Sequence, residues 1–374
     1  MGGAFGLLSP HELAAPVVRG LLQRAALDPG VVDAIVTGNA LGAGGNPARL
    51  VGLAAGLPER CASYSIDTQC CSGLDAVSLA TGLLASGQAS IVVAGGVEAW
   101  SRAPIRMHRP RRPGEAPLAY ERPAFAPDPQ RDPDMLVAAA RYAIAHGHAR
   151  AQQDAYAVLS HQRALEHREL ISAEIIPVAG IDHDLYPRAL DAGRAARMPA
   201  LIRADSLGLG IAGDKADCSL SALTVSAKAD AAAFVLLATP AACDRLGLSG
   251  KATWMAGATT GGDSAMPLAT AAIAARQALD RAGITSALDL HRVELHDAFA
   301  VQGLSFCQAL DLPPERINRL GGGLARGHPI GASAGVALVR LLADLWRDGA
   351  PADLGLTAVA GAGGIGSAAV LRRL

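Results

Sequence analysis

The sequence predicts an α/β protein made of two similar halves, because helical stretches alternate with short buried strands and because this order occurs twice. Such alternation indicates mostly parallel sheets that helices cover on both faces. The chain has 374 residues, of which 51% are hydrophobic, so it can bury a core larger than one such unit needs. We therefore expect two α/β halves packed together.

The first half begins with a helix and a strand. Residues 9–12, "SPHE", form a capping box with proline at the first helical position, and we expect the helix to run to about Ala26. "DPGVVDAIVTGN" then turns into a strand. A second helix opens at "CCSG", residues 70–73, and is followed by a strand over 91–94 and by the glycines at 95 and 96.

The second half repeats this order. "ATAAIAARQALDRAGI" predicts a helix and "LHRVELHDAF" its strand, while "GHPIGASAGVALVRLLADLWRDG" and "LGLTAVA" predict the next helix and strand. One further strand, "ATWMAGATTGG", has no partner before Ser9. We therefore expect the first half to lack one strand, which would lie at the centre of its sheet. The start is either a natural short variant or truncated, and an upstream extension of the reading frame would tell these apart.

Between the halves an insertion interrupts the repeat. "RAPIRMHRPRRPGEAPLAYERPAFAPDPQRDPDM" is rich in proline and arginine and predicts an irregular loop, and two helical stretches follow it. "KADAAAFVLLA" then returns to helix and strand. We divide the chain into an N-terminal half (1–101), an inserted loop domain (102–207), a return to the N-terminal half (208–242) and a C-terminal half (243–374).

The composition excludes several classes of protein. Lys and Arg number 33 and Asp and Glu 34, so the net charge of −1 gives no electrostatic case for a nucleic-acid partner. No apolar run is long enough to cross a membrane, and the N-terminus lacks a secretory pattern. The six cysteines are too scattered for a disulfide scaffold, and no zinc-like spacing occurs, so we expect no metal site and a reducing, cytoplasmic setting.

Cys70 is the first candidate for chemistry. A thiol at a helix N-terminus has its thiolate form favoured by the helix dipole and the free N–H groups. Its neighbours Ser72 and Gly73 are small enough to let a substrate approach the backbone. An isolated cysteine at such a place is more often a packing residue, which is our interpretation of Cys71.

Two histidines accompany Cys70. His328 lies in the glycine-dense stretch "GGGLARGHPIGASAG", and His296 ends a strand in "ELHDAFA". A histidine close to Cys70 could take its proton and hold the thiolate as an ion pair. Because the three groups lie at equivalent strand and helix ends of a duplicated fold, we expect them to meet in one site.

Four motifs, "CCSG", "HDAF", "GGGLARGHPIGASAG" and "AGAGGIG", closely resemble in sequence and order the active-site motifs of the thiolase family. The resemblance covers nearly the whole chain. It implies a duplicated five-layered α/β/α/β/α fold whose inserted loop domain receives coenzyme A. It also implies thiolysis of 3-oxoacyl-CoA or the reverse Claisen condensation, no permanently bound cofactor, and a homodimer or homotetramer paired through a sheet edge at or beside residues 91–94.

By motif, the resemblance makes Cys70 the acyl-accepting nucleophile and His328 the histidine that activates it. His296 stands where many thiolases have the asparagine of "NEAF", and "HDAF" is closer to the "HDCF" of sterol-carrier-protein-type thiolases. Ser226 matches a serine that touches the pantetheine arm of CoA, without that motif's flanking glycines. The backbone N–H groups of Cys70 and Ala362 correspond to an oxyanion hole.

One departure concerns the acid/base cysteine that opens the family's last motif. Ala360 stands at that position, and Ala298 replaces the alternative cysteine of "HDCF". An alanine cannot transfer a proton, and the loss of a general acid/base costs about 10²–10⁴-fold in rate. The remaining cysteine and two histidines resemble the site of decarboxylating ketoacyl synthases, where loss of CO₂ makes the nucleophilic carbon and two imidazoles stabilise the enolate oxygen.

Three functions therefore stay open. The motif set as a whole favours a thiolase-type acyl-CoA C-acyltransferase. The missing cysteines favour a decarboxylative condensing enzyme. A catalytically impaired paralogue that only binds acyl-CoA is the third, against which the retained Cys70 and His328 argue, because a pure binder has no use for a nucleophile.

Overall fold

Helices and strands alternate along the chain, which a computed structural model describes over residues 2–42, 44–203, 207 and 217–374. The elements before the insertion are α1 (Pro10–Arg24), β1 (Ala34–Gly38), α2 (Pro47–Ala55), β2 (Ala62–Ile66), α3 (Ser72–Ala85) and β3 (Ile91–Ala99). The insertion contains β4 (Arg106–His108), β5 (Leu118–Tyr120), α4 (Met135–His146), α5 (Arg150–Glu166), α6 (Arg168–Ser172), α7 (Ala192–Ala196), β6 (Ala200–Ile202) and β7 (Leu220–Ser221). The remaining elements are β8 (Asp230–Ala238), α8 (Pro240–Leu246), β9 (Ala252–Gly261), α9 (Thr270–Arg281), β10 (Arg292–His296), α10 (Ala300–Ala309), α11 (Gly323–Arg326), α12 (Ser333–Asp348), β11 (Leu354–Gly361) and β12 (Ile365–Arg373).

Two four-stranded sheets, in which β1-β3-β8 and β10-β11-β12 have the same order, form the framework of the described part of the chain. The first runs β2-β1-β3-β8 and the second β10-β11-β12-β9. In the first, β1 and β3 are parallel and β8 is antiparallel to β3. In the second, β10 and β11 are parallel and β12 is antiparallel to β11. This shared order confirms the predicted α/β duplication.

Helices α3 and α12 form a layer between the two sheets. On β1 and β3, Val36 and Ala94 pack against α3, whereas Ile35 and Val93 on the opposite face pack against α1. Helix α12 packs on α3, β10 and β11, and α9 covers the other face of the second sheet. The order of helix, sheet, helix pair, sheet and helix confirms the predicted five-layered fold.

Strand β3 is longer than the sequence predicts. The strand expected over 91–94 continues through Gly95 and Gly96 to Ala99. A Cβ atom added to Gly96 would overlap the carbonyl oxygen of Gly331, which follows His328 in the second half. Gly96 therefore marks a close approach between the two halves rather than a strand end.

The edges of the first sheet differ from the prediction. Strand β9, the "ATWMAGATTGG" strand, pairs with β12 and lies at the edge of its sheet, so placing its counterpart at a sheet centre was wrong. The equivalent place in the first sheet is the outer side of β8. Residues 91–94 lie inside the sheet between β1 and β8, so they leave no exposed edge. The homodimer or homotetramer stays a prediction.

The insertion is more regular than the sequence predicts. Its proline-rich stretch contains the antiparallel pair β4 and β5, and its helical stretches form α4 and α5. "KADAAAFVLLA" was wrongly expected to combine helix and strand: residues 230–238 form the single strand β8, which pairs with β3 along its whole length. The predicted boundary at 207/208 adjoins residues 208–216, which lie outside the described residues, and the domain limits stay a prediction.

Three further findings hold for the described residues. None of their helices is long and apolar enough to cross a membrane. They contain no group of three or more His, Cys, Asp or Glu side chains that could hold a metal ion. All six cysteines are free thiols.

A buried carboxylate, Glu98 of β3, ties the loop after β1 to the turn that follows His328. Its Oε1 accepts hydrogen bonds from the Asn39 amide at 2.8 Å and the Leu41 N–H at 3.3 Å. Its Oε2 accepts from the N–H groups of Ala40 and Gly331, both at 3.0 Å. Burial raises the pKa of Glu98 to about 7, and the backbone donors oppose that rise.

We expect Glu98→Ala to lower the free energy of unfolding by about 2–5 kcal/mol, because it leaves buried donors without an acceptor. Urea unfolding followed by circular dichroism measures this change. Glu59→Ala is the control, since Glu59 is exposed. A loss below about 0.5 kcal/mol, the usual range of surface substitutions, would show that Glu98 does not hold these loops.

Candidate active site

Cys70 lies in the short 3₁₀ turn Gln69–Cys71, which leads directly into α3. Gln69 has a φ of 54°, a left-handed conformation that side chains rarely adopt. Asp67 holds it there, because its Oδ1 accepts from the Gln69 backbone N–H at 3.0 Å and from its side-chain amide at 3.1 Å. Backbone N–H groups of Cys70 and Ala362 donate toward the Cys70 sulfur. A strained residue beside a thiol indicates a functional site.

The structure brings Cys70, His328 and His296 together in a row. Cys70 Sγ lies 3.1 Å from His328 Nε2, and His328 Nδ1 lies 2.6 Å from His296 Nε2. His328 Nδ1 also lies 2.7 Å from Ser333 Oγ, whose own hydrogen goes to the Pro329 carbonyl at 3.0 Å. Ser333 therefore accepts from His328, and we assign the proton of neutral His328 to Nδ1. Its Nε2 is then free to accept the proton of the thiol.

Burial controls the protonation of this row. It raises the pKa of Cys70 to about 12 and lowers that of His328 to about 4. Burial, then the neighbouring His328 and Arg326, lowers the pKa of His296 as well. The resting pair is therefore a neutral thiol and a neutral imidazole. This differs from the thiolate expected at a helix N-terminus, because desolvation outweighs the two backbone donors.

Backbone and indole hydrogen bonds fix the position of His328. Its N–H donates to the Ala227 carbonyl at 2.6 Å. Its carbonyl accepts from Trp100 Nε1 at 2.9 Å. Lys228 Nζ lies 4.5 Å from the centre of the Trp100 ring, a cation–π distance. The imidazole is therefore held against both the end of β3 and the segment that precedes β8.

Ser226 lies between the two histidine motifs. Its backbone N–H donates to the Ala298 carbonyl at 2.8 Å, and its hydroxyl donates to the Gly323 carbonyl at 2.7 Å. The hydroxyl proton is therefore used inside the protein, and only the oxygen can accept a hydrogen bond from a ligand. Within the described part of the chain, Ser226 makes no hydrogen bond to Cys70 or to either imidazole.

Ala360 ends up in the same region as His296. The register partner of His296 is Val359, so Ala360 is the next residue along β11, and it is 8% exposed.

A residue of the insertion contacts the "HDAF" motif. The hydroxyl of Tyr156 in α5 donates a hydrogen bond to Asp297 at 3.0 Å. The inserted segment therefore supports the "HDAF" motif directly.

Sequence reasoning missed four residues that shape the site. Ser333 lies inside the motif stretch "GASAG", so its position was available as a signal. Trp100, Glu98 and Tyr156 act through long-range contacts, which spacing alone does not reveal.

Comparisons with known proteins agree with this geometry. The family profile described as "Thiolase, N-terminal domain" matches residues 1–241, and "Thiolase, C-terminal domain" matches residues 248–373. An acetyl-CoA acetyltransferase of Chromobacterium violaceum is 34% identical over 383 residues, which cover 100% of this chain and 96% of that protein.

Solved structures give the same result. The Bacillus anthracis acetyl-CoA acetyltransferase superimposes with a TM-score of 0.88 at 28% identity, covering 100% of this chain and 95% of that one. The Acat5 thiolase from Ascaris suum in complex with coenzyme A superimposes with a TM-score of 0.86 at 26% identity, covering 99% of this chain and 95% of that one. With both halves matched and the cysteine and histidine motifs in contact, the chain belongs to the thiolase family and is an acyltransferase.

Proposed function

We propose that the protein is a thiolase-type acyl-CoA C-acyltransferase that works through an acyl-enzyme on Cys70. The 3.1 Å contact between Cys70 Sγ and His328 Nε2 carries this proposal. Acyl-CoA thioesters and CoA are the proposed substrates, in thiolysis of a 3-oxoacyl-CoA or in the reverse condensation. The coenzyme A complex of the Ascaris suum relative supports this substrate class.

In the first step, His328 Nε2 takes the thiol proton while Cys70 Sγ attacks the 3-oxo carbon. Ser333 and His296 share the positive charge of the imidazolium through Nδ1. The N–H groups of Cys70 and Ala362 donate to the oxygen that becomes negative. The carbon–carbon bond then breaks, which leaves the acyl group on Cys70 and releases an enolate thioester.

His328 can balance the protons of both half-reactions. The proton that it took from Cys70 goes to the enolate carbon, so the first half-reaction needs no other acid. In the second, the CoA thiol gives its proton to His328 as it attacks the thioester, and the leaving Cys70 sulfur takes that proton back. Ser226 would accept a hydrogen bond from the pantetheine arm during both steps.

Mass spectrometry after incubation with a panel of acyl-CoAs tests this proposal. An acyl mass increment on Cys70 supports an acyl-enzyme, and the acyl groups that react define the substrate preference. A protein that binds acyl-CoA but gains no increment with any of them would instead be the catalytically impaired paralogue.

The missing sulfur at Ala360 and Ala298 favours decarboxylative condensation as a second candidate. In thiolysis the enolate carbon and the CoA thiol both exchange protons, whereas decarboxylation removes no α-proton. We expect Ala360→Cys to raise the rate of CoA-dependent cleavage by about 10-fold or more, part of the effect of a positioned acid/base. It should leave CO₂ release from malonyl-CoA unchanged.

Ala358→Cys is the matched control, because Ala358 lies two residues earlier on the same face of β11 and is buried. Both variants add one sulfur to a packed strand, so a difference between them reports on chemistry rather than on overpacking. Unchanged thiolysis in Ala360→Cys, together with a His296→Ala enzyme that loses only malonyl-CoA decarboxylation, would favour the second candidate.

A further inference from the structure

One face of β10 carries three buried polar side chains in a row. Arg292, Glu294 and His296 are two residues apart, so they share a face of the strand. Arg292 pairs with a carboxylate of α12, Glu294 pairs with Arg326 of α11, and His296 contacts His328. The Glu294–Arg326 pair therefore lies directly beside the histidine pair.

Arg326 is not fully paired by Glu294. Arg326 Nη2 lies 3.5 Å from Glu294 Oε2, and the two side chains are 7% and 1% exposed. Arg326 Nε and Nη1 have no hydrogen-bond partner among the described residues. Burial raises the pKa of Glu294 to about 8, although the charge of Arg326 opposes that rise. A buried guanidinium beside one distant and only partly ionised carboxyl group is costly, so a second source of negative charge is expected near it.

Asp184 of the inserted segment is one further carboxyl group near Arg326. It lines a cavity of about 40 Å³ whose wall also includes Arg326, His296 and Ser333. Burial raises the pKa of Asp184, while the charges of Arg326 and then His183 lower it. Asp184 also lines a neighbouring cavity of about 90 Å³ on the inserted segment. The insertion therefore reaches a cavity that His296 also lines.

We propose that Asp184 and Glu294 are positioning residues that balance the charge of Arg326 beside His296, so that the histidine pair can hold the proton that Cys70 gives up. This inference rests on the proposed roles of Cys70 and His328. Arg326 lies near enough to His296 to lower the pKa of that imidazole. Without its carboxylates, Arg326 would repel the charge that the imidazoles acquire.

Other titratable and charged groups surround the same centre and stay unchanged in the test. They are Asp297 with its partner Tyr156 beside His296, Asp344 of α12 near Glu294, Glu98 and Asp67 near Cys70, His183 beside Asp184, and Lys228 next to the His328 backbone.

The test measures how fast iodoacetamide alkylates Cys70 between pH 6 and 10. Fragmentation of the alkylated peptide by mass spectrometry distinguishes modification of Cys70 from modification of the adjacent Cys71. Asp184→Asn is expected to slow alkylation at pH 7 by about 3- to 10-fold, because the thiolate then forms mainly when an imidazole accepts its proton. Glu294→Gln should slow it by a smaller factor, since Glu294, with a pKa of about 8, is only partly ionised at that pH. At pH 10, about two units below the pKa of Cys70, the small fraction of thiolate that forms by proton loss to hydroxide carries most of the reaction. Both variants should therefore react there at the wild-type rate.

Two further variants separate charge balance from a loss of packing. The double variant Glu294→Gln with Arg326→Met removes both charges and should restore most of the wild-type rate at pH 7. Asp182→Asn is the matched control, because Asp182 is exposed and bonds only its neighbour His183 among the described residues.

Wild-type rates at pH 7 in both single variants, or an equal slowing at pH 7 and pH 10, would overturn the proposal. If Glu294→Gln fails to fold, the Asp184→Asn profile still decides it. Alkylation needs no substrate, so a wild-type protein whose Cys70 accepts no acyl group would refute the proposed function and leave this result standing.

Discussion

Cys70→Ser is expected to lower the turnover number for acyl transfer by about 10⁴-fold or more, the scale seen when an enzyme loses its nucleophile. The hydroxyl of serine is a weaker nucleophile than sulfur and a poorer leaving group in the second half-reaction. His328 Nε2 can still accept a proton, but the group in front of it no longer forms a thioester. The assay follows CoA-dependent loss of 3-oxoacyl-CoA, with mass spectrometry of the acyl adduct.

Cys71→Ser separates the loss of the nucleophile from damage to the helix start. Cys71 is fully buried, and its sulfur lies 3.9 Å from the Val359 carbonyl, away from His328. This variant should lose some stability but retain acylation of Cys70. If Cys70→Ser still shows the same acyl increment on the same peptide, Cys70 does not carry the acyl group as a thioester.

Local signals explain which elements could be predicted from the sequence. The helix start at α1 depends on Ser9 and Glu12: the Ser9 backbone N–H and hydroxyl both donate to Glu12 Oε2, a contact made within four residues. Strand β8 could not be predicted in this way. Its alanine-rich sequence has high helix propensity, and only its pairing with β3 across the insertion makes it a strand.

The candidate site could likewise be predicted only in part from the sequence. The duplicated order of strand and helix ends was enough to predict that Cys70, His328 and His296 meet. Their protonation could not be predicted, because it depends on burial, and burial reverses the effect expected from the helix N-terminus. Asp184 is more than a hundred residues from Arg326 along the chain, so no spacing rule connects them.

His328→Ala is the second large expected effect, with the rate of Cys70 acylation falling by about 10²–10⁴-fold. Among the described residues, His328 Nε2 is the side-chain nitrogen within hydrogen-bond distance of Cys70 Sγ. His328 has a lowered pKa of about 4, so in the wild type it is neutral and able to accept a proton above that pH. The rate of acylation should therefore rise with pH through about 4, and this rise should be absent in the variant.

Ser333→Ala is the graded control for that experiment, because it removes one acceptor at His328 Nδ1 and leaves His296 in place. We expect the rate of Cys70 acylation to fall by about 10-fold, which is the cost of one hydrogen bond to a charged group. The rise of this rate with pH through about 4 should be retained. The comparison measures the acylation rate of each variant by rapid quench between pH 4 and 8. A His328→Ala protein that is acylated at the wild-type rate, and whose rate still rises with pH through about 4, would show that Cys70 gives its proton to a different base.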